Sequence, residues 1–236
     1  MGRDVPKALV EVAGKPLLVW TLTRFAPLGL VDGAVIVVPR PHQGRFAEVL
    51  GEAFPGRRFE LTPGGPARQD SVANGLGALD RDTEVVVIHD AARPFVSPES
   101  VRASIEAAAA YGAATVALPC VDTILEGDRD GWLATTPDRG KLWACQTPQT
   151  FQVGVIRRAH ERAALGARNA TRARHTTAVT DDATLVREMG EKVKLVMGTR
   201  LNFKVTTPQD LELAEACLNT PAMGVAPGGR GLTQPL

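Results

Sequence analysis

Residues 84–119, EVVVIHDAARPFVSPESVRASIEAAAAYGAATVALP, contain the pattern that decides the fold. They begin with a β-branched apolar run at 84–88, continue with a helical pattern at 98–111, and end with a second apolar run at 114–118. Continuous apolar runs are typical of strands in a parallel sheet that is covered on both faces. The segment therefore predicts a strand, a crossover helix and a second, parallel strand.

The same alternation extends over most of the chain, and the run at 35–38 predicts a further strand. Ser97 before Pro98, and Thr207 before Pro208, are typical helix starts, because the first residue caps the helix and proline suits the first helical position. We therefore expect an α/β protein with three layers and a mostly parallel sheet. The helix candidates in the first half of the chain lie near 15–26, 42–53, 69–79 and 98–111.

Two segments interrupt the alternation. Between about 119 and 142, short strand-like pieces flank the turn sequence GDRDG at 127–131. This pattern predicts a β-hairpin arm that projects from the domain, with a long surface loop as the alternative. Residues 220–236 are rich in glycine and proline, so we predict a disordered tail after a single domain at 1–219.

Composition and charge restrict the classes of function. The 236 residues include 44% hydrophobic and 22% charged residues, and the formal net charge is +1. This balance predicts neither a nucleic-acid nor a membrane partner, and no apolar run approaches the roughly 20 residues of a membrane span. The cysteines, Cys120, Cys145 and Cys217, lack the spacing of a metal site or a disulfide framework. We expect a cytoplasmic protein whose chemistry depends on a local site.

Polar residues follow the predicted strands, where open α/β sheets bind their ligands. Asp90 comes after the run at 84–88 and offers a carboxylate to Mg²⁺, while Arg93 offers a planar guanidinium to phosphate. Alternatively, Asp90 caps the next turn and Arg93 forms a surface ion pair. Lys204, after another strand-like run, and Lys7, near the start of the chain, are candidate anion contacts, although a solvated lysine is the default interpretation of each.

The pair Gly64-Gly65, before the helix candidate at 69–79, is a further candidate. Adjacent glycines expose backbone N–H groups to an anion or a base edge near the positive end of a helix. A simple Gly-Gly-Pro turn explains the same residues. The histidines His42, His160 and His175 show neither metal nor triad spacing, so structural roles suffice for them.

Taken in order, these segments resemble the 2-C-methyl-D-erythritol 4-phosphate cytidylyltransferase family, which acts in the methylerythritol route to isoprenoids. The resemblance covers about residues 1–219. The motifs that carry it are Pro6-Lys7, Gly14-Lys15-Pro16-Leu17-Leu18, Gly64-Gly65 with Arg68 and Ser71-Val72, His89-Asp90-Ala91-Ala92-Arg93-Pro94-Phe95, Val121-Asp122-Thr123, Gln146-Thr147-Pro148-Gln149, Thr180-Asp181-Asp182-Ala183, and Asn202-Phe203-Lys204-Val205-Thr206-Thr207-Pro208.

The resemblance implies a Rossmann-like nucleotidyltransferase fold, Mg²⁺ as the cofactor, and a homodimer held together by the arm at 119–142. It also implies the reaction, cytidylyl transfer from CTP to methylerythritol phosphate with release of pyrophosphate. Carried over by position, the CTP contacts are Lys7, Gly65, Arg68, Ser71, Asp90 and Ala91. The substrate contacts are Arg93, Thr123, Arg139, Thr147 and Lys204, of which Thr123 and Arg139 reach into the partner's site. The catalytic residues are Lys7, Asp90, Arg139 and Lys204, and Asp90 is also the metal ligand.

The chain departs from the family pattern at its start. Family members have a strand and a loop of the type Gly-x-Gly-x-Arg just before the stretch that matches residues 1–4. Both are missing here, so we expect that the true start lies upstream and that Met1 is internal. As written, the chain is expected to be nearly inactive and poorly stable, because loss of a central strand exposes the apolar edges of its neighbours.

Other functions fit part of the pattern. A ribitol-5-phosphate cytidylyltransferase shares several motifs, but Asp90-Ala91-Ala92-Arg93 followed by Pro94-Phe95-Val96 favours the methylerythritol enzyme. A non-catalytic nucleotide-binding or assembly protein is the alternative from a different class, and a purely structural protein is expected to show no binding in calorimetry with CTP and Mg²⁺. A dehydrogenase is disfavoured because the chain contains no Gly-x-Gly-x-x-Gly motif.

Overall fold

Helices and strands alternate in a computed structural model that describes residues 5–26, 29, 31–169 and 181–220. The helices are Leu17–Phe25 (α1), Gln43–Ala53 (α2), Arg68–Gly77 (α3), Pro98–Tyr111 (α4), Val153–Asn169 (α5), Asp182–Glu188 (α6) and Pro208–Asn219 (α7). The strands are Glu11–Val12 (β1), Lys15–Pro16 (β2), Val35–Val38 (β3), Glu60–Pro63 (β4), Val85–Ile88 (β5), Ala113–Pro119 (β6), Glu126–Gly127 (β7), Leu133–Thr135 (β8), Trp143–Gln152 (β9) and Lys194–Met197 (β10). Short 3₁₀ helices lie at Lys7–Leu9, Arg40–His42 and Arg139–Lys141.

The main sheet has the strand order β10-β6-β9-β5. Strand β10 is parallel to β6, and β9 is antiparallel to both β6 and β5. Strands β5, β6 and β10 therefore run in the same direction, which confirms the mainly parallel sheet. The antiparallel β9 was not predicted, because Gln146, Thr147, Gln149 and Thr150 are buried in it as polar residues rather than as an apolar run.

Helices cover both faces of this sheet, which confirms the three-layer fold. On one face, Ala108 of α4 packs in a cluster with Val116 of β6. On the other face, Phe151 of β9 packs with Ile156 of α5 and Val186 of α6, and all three side chains are fully buried. These clusters also include Ile88 of β5 and Val196 of β10, so the core fixes the two strands that precede the site described below.

A second, two-stranded parallel sheet is formed by β3 and β4. Helix α3 packs against both sheets: a Cβ on Gly75 would lie 3.0 Å from Val37 of β3, while Leu76 packs in a cluster with Val86 and Ile88 of β5. Within residues 5–26, 29, 31–169 and 181–220, β3 pairs only with β4 and β5 pairs only with β9. The two sheets are therefore held together by helix packing and loops, with no shared strand in that part of the chain.

The first helix begins later than predicted. The sequence pattern placed it near 15–26, but Lys15–Pro16 pairs with Glu11–Val12 in a short antiparallel hairpin. Gly14 occupies its turn with φ +75°, a conformation that glycine adopts without steric cost. Helix α1 therefore begins at Leu17, directly after the hairpin.

The two predicted helix caps are confirmed. The Ser97 hydroxyl accepts a hydrogen bond from the backbone N–H of Ser100 at 3.1 Å, at the start of α4. The Thr207 hydroxyl accepts one from the N–H of Asp210 at 3.2 Å, at the start of α7. Each cap satisfies a helix N–H group that has no partner within the helix.

The predicted hairpin arm is also confirmed, since β7 and β8 pair as antiparallel strands and Gly131 turns the chain with φ +86°. The predicted tail at 220–236 lies outside the described residues, apart from Thr220. None of the helices in the described part of the chain combines the length and the apolar character needed to cross a bilayer.

Candidate active site

A loop at 89–94 follows β5 and carries a carboxylate that is surrounded by cations. The Nζ atom of Lys204 lies 2.8 Å from Oδ2 of Asp90, and Nε of Arg93 lies 3.7 Å from the same oxygen. Both cations thus approach Oδ2, and neither of these ion pairs involves Oδ1. The structure therefore brings together Asp90, Arg93 and Lys204, which the sequence predicted as metal and substrate contacts.

This surrounding charge decides the protonation state of Asp90. Burial acts to raise its pKa, but the hydrogen bond and charge of Lys204, together with the charges of Arg68 and Arg93, act in the opposite direction. The net effect is a pKa below the ordinary value for an aspartate. Asp90 is therefore ionised at neutral pH, as a metal ligand or an anchor for a lysine needs to be.

Lys204 is held in place by the backbone of its own segment. The N–H of Val205 donates to the carbonyl of Ala92 at 2.8 Å, and Nη1 of Arg93 donates to the carbonyl of Asn202 at 2.8 Å. The buried Asn202 side chain in turn donates to the carbonyl of Thr147 in β9 at 2.8 Å. The segment after β10 is thereby joined to the loop after β5, so that Lys204 faces Asp90.

The side chain of His89 supports the loop at 89–94 with hydrogen bonds at both ring nitrogens. The Nε2 atom of His89 lies 3.1 Å from the carbonyl of Arg93, which can only accept, so Nε2 carries the proton. Nδ1 then accepts from the Thr147 hydroxyl at 3.0 Å, and that hydroxyl accepts from the N–H of Asp90 at 3.1 Å. Burial lowers the pKa of His89 from 6.5 to about 4, although the carbonyl of Arg93 and the charge of Asp90 act to raise it. The neutral imidazole therefore fixes both ends of the Asp90–Arg93 turn.

Helix α1 supports the same loop from the other side. The Thr21 hydroxyl donates to the carbonyl of Ala91 at 2.8 Å, and Nε of Arg24 donates to the carbonyl of Pro94 at 3.1 Å. These bonds engage the carbonyls at 91 and 94. Ala91, a predicted CTP contact, is thereby held by its carbonyl, and its side chain packs against an apolar cluster.

The glycine loop before α3 is a tight turn closed by side chains. The N–H of Gly65 donates to the Ser71 hydroxyl at 3.1 Å, and the N–H of Ala67 donates to the Asp70 carboxylate at 3.0 Å. A Cβ on Gly65 would collide with Cβ of Asp70, so only glycine fits this turn. The structure thus brings Gly65 and Ser71 together, with the hydroxyl of Ser71 helping to shape the loop.

Arg68 and Lys7 approach this region from different segments. Arg68 is the first residue of α3, and its charge is among those that lower the pKa of Asp90. Lys7 is exposed at the start of its 3₁₀ helix, where the next residue, Ala8, packs in the same apolar cluster as Ala91. The structure therefore places both cations on segments that adjoin the loop at 89–94.

The predicted arm residues are separate from this cluster. Thr123 is exposed, and Nη1 of Arg139 donates to the carbonyl of Val121 within the arm at 2.9 Å. Neither side chain forms a hydrogen bond or ion pair with Asp90 in the described part of this chain. The arm leaves the sheet at Pro119, which pairs with Trp143 at the same sheet edge as the loop after β5.

A magnesium ion here would depend on substrate oxygens. The described residues contain no group of three histidine, cysteine, aspartate or glutamate side chains that could hold a metal. A single carboxylate with Oδ1 outside the lysine contact is nevertheless the type of ligand that Mg²⁺ uses when phosphates and water complete its shell. The donors present thus fit a phosphate-bound Mg²⁺ and do not fit a metal held by protein alone.

Comparison with known proteins assigns the chain to a family. The family model of 2-C-methyl-D-erythritol 4-phosphate cytidylyltransferase (IspD) matches residues 1–220. The chain belongs to this family.

Family relatives cover almost the whole chain. The protein of that name from Caldanaerobacter subterraneus subsp. tengcongensis is 40% identical over 224 residues, which cover 92% of this chain and 92% of the relative. The one from Pelotomaculum thermopropionicum is 41% identical over 219 residues, covering 92% and 88%. The shared length and identity confirm the resemblance inferred from the sequence motifs.

Solved structures of the family share the fold. The 4-diphosphocytidyl-2C-methyl-D-erythritol synthase of Anaerococcus prevotii superposes with a TM-score of 0.79 at 30% identity, covering 93% of this chain and 92% of the other. The cytidylyltransferase of Thermus thermophilus gives a TM-score of 0.69 at 35% identity, covering 89% and 92%. The Rossmann-like nucleotidyltransferase fold is therefore confirmed.

Sequence reasoning missed two features of the site. His89 was quoted only as part of a motif, because nothing in the sequence shows that both of its ring nitrogens find buried partners. Asp182 was likewise only a motif residue, yet it is fully buried and pairs with Arg68 and His160. These contacts join residues that lie 114 and 22 positions apart, and no local sequence pattern reports such pairs.

Proposed function

We propose that this chain transfers the cytidylyl group of CTP to 2-C-methyl-D-erythritol 4-phosphate, giving CDP-methylerythritol and pyrophosphate in the non-mevalonate route to isoprenoids. The observation that carries the proposal is the ionised Asp90 with Lys204 and Arg93 at the carboxyl edge of the sheet. Family membership over residues 1–220 supports the choice of substrates. It makes the chain a nucleotidyltransferase.

The reaction needs positioning and charge more than acid–base catalysis. A phosphate oxygen of methylerythritol phosphate attacks the α-phosphorus of CTP, the new O–P bond forms, and the bond to the β-phosphate oxygen breaks with the electron pair leaving on pyrophosphate. A phosphate nucleophile needs no strong general base, which agrees with the low pKa of His89. The chief barrier is repulsion between two polyanions, which fixed cations reduce.

The cations divide between the two substrates by position. Arg93 and Lys204 flank Asp90 and are proposed to hold the methylerythritol phosphate group.

The nucleotide contacts are proposed on other segments, with Gly65, Ser71 and Ala91 beside the cytidine. Lys7 and Arg68 adjoin this loop and are proposed to neutralise the triphosphate, because a fixed cation costs no reorganisation when charge shifts to pyrophosphate. Thr147, whose hydroxyl is engaged by His89 and Asp90, stays a predicted substrate contact.

Mg²⁺ is proposed to bind through Asp90 and phosphate oxygens. When bound, it supplies Lewis-acid polarisation of the phosphoryl group undergoing substitution. Lys204 keeps Asp90 ionised until then, since its hydrogen bond and charge lower the pKa of that carboxyl. The lysine is then able to turn from Oδ2 to an incoming phosphate, because its side chain is 42% exposed.

The arm supports a homodimer. Trp132 at its tip is 74% exposed, and Leu133, Leu125 and Val121 are also exposed apolar residues on it. An exposed apolar group of this kind favours association. We propose that a second copy covers the arm and that Thr123 and Arg139 act in the partner's site.

Mixed dimers test this sharing. Arg139→Ala and Lys7→Ala are each expected to be inactive, because each removes a cation from every site. Co-expression should restore partial activity, since one site in a mixed dimer keeps both cations. A mixture as inactive as the separate variants would contradict the shared site.

Product analysis tests the reaction itself. The protein is incubated with CTP, Mg²⁺ and either methylerythritol phosphate or ribitol 5-phosphate, and ³¹P NMR follows the diphosphate (P–O–P) linkage of the product. We expect the product and pyrophosphate with methylerythritol phosphate at a much higher rate. Preference for ribitol 5-phosphate would reassign the substrate. If calorimetry detects no binding of CTP, the protein is better interpreted as non-catalytic.

The N-terminal expectation stays a prediction. A cytoplasmic location without nucleic-acid partners likewise stays a prediction.

A further inference from the structure

A fully buried carboxylate lies behind the nucleotide side of the site. The side chain of Asp182 is 0% exposed, and its Oδ2 atom lies 2.7 Å from Nη1 of Arg68. Its other oxygen, Oδ1, lies 3.1 Å from Nε2 of His160, whose side chain is 10% exposed. Each carboxylate oxygen therefore has its own nitrogen partner, an arrangement that restricts rotation of the group.

The backbone that carries Asp182 is itself fixed. The N–H groups of Asp182 and Ala183 both point to Oε1 of Gln149, at 2.9 and 3.3 Å. Asp181 caps α6 by accepting from the N–H of Thr184 at 2.9 Å and also accepts from Nε2 of Gln149 at 3.2 Å. Gln149 is fully buried in β9, directly opposite Ile88, the residue before the loop at 89–94.

Arg68 is the partly exposed partner of Asp182. It follows the glycine loop as the first residue of α3, and its side chain is 34% exposed while Asp182 is enclosed. A guanidinium carries five N–H donors, and the Asp182 bond uses Nη1 alone. Arg68 begins α3 between Gly65 and Ser71, whose side-chain hydrogen bond closes the glycine loop, so it belongs to the segment proposed for the nucleotide.

We propose that Asp182 is a positioning residue that holds the Arg68 guanidinium towards the triphosphate of the nucleotide. The proposal rests on the proposed function only in taking CTP as the nucleotide. A carboxylate that is wholly removed from water is costly, and a well-packed apolar pair is often as stable. The benefit of Asp182 lies in orientation: an anchored guanidinium loses less rotamer freedom when phosphate binds.

A double-mutant cycle tests the coupling. Calorimetry measures the Kd for CTP with Mg²⁺ in the wild type, Asp182→Asn, Arg68→Met and the double variant. We expect each single variant to bind CTP about tenfold more weakly, as loss of a charge-assisted hydrogen bond predicts. The double variant should also be about tenfold weaker, rather than about a hundredfold, because both changes remove the same interaction. Independent, multiplying effects, or an unchanged Kd in Asp182→Asn, would overturn the proposal.

Two controls separate positioning from folding. Ser97→Ala removes the cap of α4, on a different helix, and should lower the melting temperature without changing the Kd for CTP. In steady-state assays, Asp182→Asn should raise KM for CTP while KM for the phosphate acceptor stays within about twofold, a split that a general loss of stability does not produce. Equal changes in both KM values would point to a merely structural role and refute positioning.

The remaining outcomes are also decisive. If Asp182→Asn alone does not fold, the comparison of Arg68→Met with the double variant remains, and equal Kd values support the coupling while a weaker double variant contradicts it. If the wild type binds no CTP, the proposed function fails and this inference fails with it. If the wild type binds CTP but Asp182→Asn binds equally well, only this inference fails.

Discussion

Acidification is expected to unfold this protein partly through one neutral histidine. His89 holds the Asp90–Arg93 turn with both ring nitrogens, and burial lowers its pKa from 6.5 to about 4. The unfolded chain therefore binds a proton near pH 6.5, whereas the folded chain binds it only near pH 4. Between these values the unfolded state holds more protons, so the free energy of unfolding falls as the pH falls.

The size of this effect follows from the two pKa values. A pKa lowered from 6.5 to about 4 corresponds to about 3 kcal/mol of stability, fully present above pH 6.5 and lost by about pH 4. Other groups also titrate in this range, so a variant is needed to isolate His89. His89→Gln keeps an N–H donor for the carbonyl of Arg93 but has no ionisable ring.

Urea denaturation of the wild type and His89→Gln between pH 4 and 8, at a fixed protein concentration, measures the difference. Between pH 7.5 and pH 4, the free energy of unfolding of the wild type should decrease by about 3 kcal/mol more than that of His89→Gln. Parallel pH profiles for the two proteins would refute the reasoning. An NMR titration of the folded protein in which His89 protonates near pH 6.5 would refute it as well.

Three other substitutions have expected outcomes. Lys204→Met should move the acid limb of the kcat/KM profile to higher pH, because it removes the hydrogen bond and charge that most lower the pKa of Asp90; an unmoved limb contradicts this. Gly65→Ala should weaken CTP binding in calorimetry by about 100-fold, since the added Cβ collides within the loop, whereas Gly51→Ala, with no atom within 4 Å, should leave it unchanged. Ser97→Ala should lower the free energy of unfolding by about 1 kcal/mol through loss of the α4 cap, with KM values unchanged; no loss of stability in denaturation would argue against the cap.

The parts of the fold that follow local rules could be predicted from the sequence. The apolar runs gave β3, β5 and β6, and Ser97 and Thr207 marked the starts of α4 and α7. Strand β9 was missed because it buries Gln149 and Thr150, whose side chains bond to neighbouring layers. Burial of polar groups depends on partners from distant segments, so periodicity in hydrophobicity does not report it.

In the candidate site, too, some residues could be predicted from local sequence and others could not. Asp90 at the end of a strand could be predicted from its position, but its pairing with Lys204 spans 114 residues and depended on family resemblance. The Arg68–Asp182–His160 arrangement could not be predicted, because each residue alone has an ordinary surface role as its default. Long-range electrostatic pairs form only when the sheet has brought its strand ends together.

The measurement that tests the account most directly is pyrophosphate release by Asp90→Asn, with Asp80→Asn, an exposed aspartate, as the matched control. With CTP, methylerythritol phosphate and Mg²⁺, the control should turn over like the wild type. Asp90→Asn should be slower by roughly 100- to 1,000-fold, the usual cost of removing one electrostatic element of a transition state. A turnover rate for Asp90→Asn equal to that of the control would contradict the role given to this carboxylate.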